Sequence, residues 1–67
     1  MKPDDLDPSQ TYFITTDKGD KGILYFKAGR WSALGWFDGV PRLCSVEGME
    51  PVSGMHASVT VVVARPA

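Results

Sequence analysis

Between Tyr12 and Ala64 apolar and polar residues alternate mostly with period two, and the alternation is broken at short intervals by glycine, proline and aspartate. That pattern predicts β-strands and no helix longer than about a turn. Five strands are expected: Tyr12 to Thr16, Ile23 to Phe26, Trp31 to Phe37, Val40 to Val46 and Ala57 to Ala64. The stretch from Gly22 to Val46 reads as an antiparallel meander, and the whole as an all-β domain in which a five-stranded sheet curls into a small SH3-like or related barrel. An open sheet that dimerises through an edge is the alternative.

The best specified turn is Phe37-Asp38-Gly39-Val40, because Asp-Gly accepts the positive φ of a type I′ hairpin. Counting back from it pairs Phe37 with Val40, Leu34 with Leu43, Ala33 with Cys44 and Trp31 with Val46. One face then carries Trp31, Ala33, Gly35, Phe37, Val40, Arg42, Cys44 and Val46, and the other Ser32, Leu34, Trp36, Pro41 and Leu43. Each face holds a tryptophan, so the sheet must curl or a bulge must re-aim one of them, and Gly35 is the expected site of that bulge. Trp31 is expected inside and Trp36 outside. The earlier turn, around Ala28-Gly29, fits a two-residue loop or a three-residue loop with a bulge, and the two put opposite faces of Ile23 to Phe26 against Trp31.

Residues 1–10 hold two prolines and three aspartates around one leucine, which predicts a loose N-terminal arm ahead of a single domain over residues 11–67. Asp17 to Gly22 is a charged loop without the residues of a phosphate-binding loop. Glu47 to His56 is irregular, since Gly48, Pro51 and Gly54 exclude a long helix, and Met49 and Met55 offer either an adaptable contact surface or a plug for an open end of the sheet. In the last strand Val59, Val61 and Val63 share one face by simple alternation. Such an uncharged β-branched run needs pairing on at least one side, with Tyr12 to Thr16 the expected partner. The phrase GWFDG resembles the aromatic-glycine hairpins of repeated cell-wall-binding modules, but it occurs once where such modules stack several copies.

Chemistry enters mainly as exclusion. Cys44 and His56 are the sole cysteine and histidine, no Cys-x-x-Cys or His-x-x-x-His spacing is present, and neither catalysis, a metal nor a cofactor is expected. Seven basic against eight acidic residues give a net charge of −1, short of the basic excess usual in nucleic-acid binders. The charges are unevenly spread: residues 1–20 carry five acids and two bases (−3), residues 21–67 three acids and five bases (+2). No apolar run reaches a membrane span and the first residues lack a signal peptide's apolar core, so a cytoplasmic protein is expected.

The aromatic and basic residues are the one constellation with a positive case. Trp36, Tyr25, Lys27, Arg30 and Arg42, with Met49 and Met55, form the expected contact set for a protein partner. The aromatics Tyr25, Trp31, Trp36 and Phe37, interleaved with Lys21, Lys27, Arg30 and Arg42, could instead stack bases and meet phosphates of a single-stranded nucleic acid. A freestanding chain of this size without catalytic equipment is similar in kind to the small accessory or inhibitor proteins of phages and mobile elements, and it is expected to be a monomer or an edge-paired homodimer.

Overall fold

In the computed structural model, residues 5–47 and 57–67 are described. They form strands β1 (Tyr12–Thr16), β2 (Lys21–Lys27), β3 (Arg30–Phe37), β4 (Val40–Val46), β5 (Ser58–Val59) and β6 (Val61–Pro66). The order across the sheet is β5-β4-β3-β2-β1-β6, antiparallel throughout except for the β4–β5 pair. Because β5 and β6 are separated only by Thr60, the two ends of that order belong to one continuous stretch of chain. The sheet therefore has to curl, and it forms a half-barrel.

The expected last strand is thus two strands, making six instead of five. The chain switches partners at Thr60: Ser45 and Glu47 donate backbone N–H bonds to the carbonyls of Ala57 and Val59 on one side, and Asp17 donates to the carbonyl of Thr60 on the other. A register shift follows immediately, with Thr15 opposite Val63 but Thr16 opposite Val61. Val62 is left as the extra residue of a bulge, so Val61 is buried while Val62 and Val63 are both exposed. Simple alternation fails here because a bulge reverses the faces beyond it. The expected pairing of the last strand with Tyr12 to Thr16 is present as β1–β6.

Both hairpins are two-residue turns with positive φ at each central position: Asp38 at 57° and Gly39 at 81°, Ala28 at 55° and Gly29 at 79°. These are the signs of a type I′ turn, whose twist matches that of the flanking strands. The register Leu34↔Leu43 and Ala33↔Cys44 is as counted from Asp38-Gly39, and the first turn is settled as the two-residue form, with Lys27 opposite Arg30 and Phe26 opposite Trp31.

The expected bulge at Gly35 is absent. Gly35 lies in unbroken ladders opposite Gly22 on one side and Arg42 on the other. Curling is achieved by side-chain removal: a methyl group at Gly35 would sit 2.5 Å from the Lys21 carbonyl oxygen and 2.6 Å from the Gly22 Cα. Phe37, fully buried, lies over the glycine pair.

The concave face holds the core: Tyr12, Ile14, Leu24, Trp31, Ala33, Phe37, Cys44, Val46 and Val61. Trp31 stands edge-on to Phe26 at 5.3 Å between ring centroids and tilted to Tyr12 at 6.2 Å. Part of the expected loose arm is tied to this core. Leu6 packs against it, the Asp7 N–H donates to the Tyr12 hydroxyl at 2.8 Å, and Ser9 donates through both its N–H and its hydroxyl to the Asp7 carboxylate. Those two donors hold the Asp7 carboxyl below its ordinary range. Met49, Met55 and His56, and the loop they were expected to shape, lie outside the described residues. No helix among the described residues is long and apolar enough to cross a membrane.

Candidate interaction face

The convex side of the sheet follows directly from the ladders. Residues paired across neighbouring strands point to the same side, so Arg65, Phe13, Ile23, Leu34 and Leu43 form one row running across β6, β1, β2, β3 and β4. Val63, Thr15, Lys21, Trp36 and Pro41 form the next row on the same side. The apolar members are open to solvent: Phe13 is 58% exposed, Leu34 48%, Leu43 45%, Ile23 38% and Trp36 64%. Four adjacent strands thus present large apolar side chains over about 14 Å, at roughly 4.8 Å per strand. Isolated exposed apolar residues are ordinary, whereas a contiguous patch is a mark of contact with something else.

Near the β6 end of the face a shallow groove is lined by Phe13, Thr15, Lys21, Val63 and Arg65, with the Lys21 Nζ 3.5 Å from the Thr15 hydroxyl. Toward the β2–β3 turn, the same alternation places Tyr25 opposite Ser32 and Lys27 opposite Arg30. Tyr25 is half-buried and Ser32 buried, so the face narrows there before the two exposed cations.

Charge on the molecule is segregated by secondary structure. The strands carry Lys21, Lys27, Arg30, Arg42 and Arg65 and no acidic residue. Among the described residues every carboxylate lies in a turn or in the N-terminal segment: Asp5, Asp7, Asp17, Asp20, Asp38 and Glu47. Asp38 and Asp20 are occupied in joining the β3–β4 turn to the β1–β2 loop. The Asp38 N–H donates to Asp20 at 3.1 Å, and Lys18 reaches the Asp38 carboxylate at 3.4 Å. Four of the five strand cations lie on the convex side. The exception is Arg42, which pairs with Gly35 and so shares the side of Phe37 and Cys44.

Of the residues expected to form a contact set, the structure therefore gathers Trp36, Tyr25, Lys27 and Arg30 on one face and sets Arg42 on the other. Lys21, one of the cations interleaved with the aromatics, joins the first four, and the structure adds five that the sequence reading did not single out: Phe13, Ile23, Leu34, Leu43 and Arg65. Their signal was the two-residue reading of Ala28-Gly29, which alone puts Ile23 beside Leu34.

Cys44 lies in the core at 1% exposure, where burial pushes its thiol above the ordinary value, with Arg42 pulling it partly back. A thiol in that state is a poor nucleophile. Among the described residues no group of three or more His, Cys, Asp or Glu side chains is placed to hold a metal ion. No family model matches the chain, and neither a curated protein nor a solved structure matches it.

Proposed function

We propose that this protein is a non-enzymatic interaction module that docks a protein partner on the convex sheet face. The observation that carries the reading is the row Phe13, Ile23, Leu34 and Leu43, four exposed apolar side chains in register on adjacent strands, with Trp36 beside it. All four are bulky in a domain whose core, among the described residues, has nine buried apolar side chains, so leaving them in water weakens folding unless a partner covers them. An exposed tryptophan next to aliphatic side chains, with cations at the margin, has the composition of a binding hot spot. A chain that acts by covering part of another protein needs no catalytic group, and in this it is similar in kind to small accessory or inhibitor proteins of phages and mobile elements.

A second reading is favoured by one observation: Lys21, Lys27, Arg30 and Arg65 share the face with Phe13, Tyr25 and Trp36, an arrangement on which a single-stranded nucleic acid could stack its bases and neutralise its phosphates. The aliphatic character of the central row supports the protein reading, since Ile23, Leu34 and Leu43 offer a base no π-face. Affinity capture with the folded protein, with and without nuclease, separates the two. The expected result is a specific protein that survives nuclease and is lost with a Leu34→Asp bait that remains folded. Recovery of nucleic acid, with a log-log salt slope of roughly −2 to −3 for three or four phosphate contacts, would replace the first reading by the second. Turnover sensitive to Cys44→Ser or His56→Ala would overturn both.

A further inference from the structure

Resting on that protein-docking reading, we infer that the partner bound by the convex face is an acidic protein segment, whose apolar side chains seat on Phe13, Ile23, Leu34 and Leu43 and whose carboxylates meet Lys21, Arg65 and the Lys27–Arg30 pair. Charge complementarity selects this partner. The strand residues that build this face contribute four cations and no anion, although the chain as a whole is slightly acidic. A net charge of −1 conceals this, because the described carboxylates are confined to turns and the N-terminal segment.

The same distribution excludes a second copy as the occupant. A two-fold dimer apposes identical patches, so face-to-face pairing would bring eight cations together, four from each copy, with no strand carboxylate between them. Both sheet edges are also blunted: β6 by the bulge at Val62 and by Pro66, which has no N–H to offer a ladder, and the other edge by the two-residue length of β5 and by Pro41 in the uncovered part of β4.

The face also dictates how the partner binds. β1 lies between β6 and β2, β2 between β1 and β3, and β3 between β2 and β4, so the backbone under Phe13, Ile23 and Leu34 is already paired and strand addition is closed there; only β4 ahead of Ser45 keeps an open side, and Pro41 interrupts it. Contact is through side chains on a pleated surface. Lys21 and Lys27 are six residues apart on one strand, about 20 Å, a length covered by a helix of about 13 residues. A segment carrying an apolar stripe with carboxylates near both ends matches that spacing.

The test uses the full chain and two synthetic helix-forming peptides of about 18 residues. They share one leucine face and differ in bearing Glu or Lys at the flanking positions. Both lack tryptophan, so the fluorescence of exposed Trp36 reports binding against the constant signal of buried Trp31. The Glu peptide is expected to bind about tenfold more tightly than the Lys peptide at low salt, with the preference shrinking as salt rises, because the ion pairs are solvent-exposed. The double variant Lys27→Glu/Arg65→Glu, checked for folding by circular dichroism, leaves two cations and two anions on the face and is expected to abolish the preference. Equal affinity for the two peptides, or no binding by either at millimolar concentration, would overturn the acidic partner while leaving the docking face to the capture experiment. Binding of an oligothymidine strand, with neither peptide bound, would overturn both readings. Sedimentation of the free protein as a dimer that Leu34→Asp dissociates would replace the acidic partner by a second copy.

Discussion

Gly22 and Gly35 lie directly opposite one another in the β2–β3 ladder, and Phe37 covers the space their missing side chains leave. A methyl group at either position has nowhere to go. At Gly22 it would come within 2.7 Å of both the Leu34 carbonyl oxygen and the Phe37 ring; at Gly35 its neighbours within 2.6 Å are backbone atoms. A ring can shift, whereas a paired strand cannot without losing its register, and the methyl at Gly35 would meet two backbone atoms where the one at Gly22 meets a single, slightly more distant carbonyl. Gly35→Ala is therefore expected to destabilise the domain by about 2 to 3 kcal/mol and Gly22→Ala by less, in the usual range for overpacking. Urea denaturation of the two variants checks the order, and equal stability of Gly35→Ala and the natural protein would refute the close approach.

The two tryptophans separate stability from binding. Trp31 is 2% exposed and contacts two aromatic rings, while Trp36 is 64% exposed. Truncating a buried tryptophan costs roughly 3 to 5 kcal/mol, comparable with the whole stability of a domain this small. Trp31→Ala is expected to lose its dispersed amide spectrum, and Trp36→Ser to keep it. A folded Trp31→Ala protein would mean that the faces of β3 are reversed.

Much of this fold was legible locally, and the reasons differ from strand to strand. Asp38-Gly39 constrains its hairpin so strongly that the register and the placing of Trp31 and Trp36 on opposite faces follow from it, while Ser32 and Pro41 beside Trp36 pointed to Trp31 as the buried one. The convex row was not legible in the same way. It needs four strands in register at once, and Ala28-Gly29 left one of the three pairings open. Leu34 and Leu43 were placed on the face of Trp36 by the β3–β4 register, but nothing local showed that Phe13 and Ile23 extend that face into a row. The split at Thr60 and the bulge at Val62 left no trace in a run of valines, since every register of such a run looks alike until Tyr12 to Thr16 and Ser45 compete for it. Gly35 announced a local irregularity, but glycine serves close approach as well as a bulge, and only the pairing with Gly22 distinguishes the two.

Cys44 predicts a pH dependence of stability. Its thiol is pushed up by burial, so the folded protein holds the proton more tightly than the unfolded chain does. The resulting stability is fully present below the unfolded thiol's value, about 8.5, and is lost as pH rises from there through the folded value. Between pH 8 and pH 10 the natural protein is expected to lose more stability than Cys44→Ala, which has no thiol to ionise. Denaturation midpoints of both proteins at the two pH values provide the measurement. A parallel decline would show that the thiol ionises in the fold as readily as in water.

Ala28 predicts a gain. It occupies the first central position of the β2–β3 turn with φ at 55°, where its Cβ crowds the following carbonyl. The cost for a residue with a Cβ is about 1 kcal/mol. Asparagine tolerates this conformation, and Asn-Gly is the sequence most favoured in the turn type observed. Ala28→Asn leaves the Lys27↔Arg30 pair and the convex face untouched, since both turn residues are exposed and outside the strands. It is expected to stabilise the domain by up to about 1 kcal/mol, a rise of roughly 4 to 8 °C in melting temperature for a chain of this length. Glycine at the same position relieves the strain but adds freedom to the unfolded chain, so Ala28→Gly should gain less than Ala28→Asn. If neither substitution raises the melting temperature, the turn does not hold Ala28 in the left-handed region. The two-residue connection that places Ile23 beside Leu34 would then be wrong, and the convex row would fall with it.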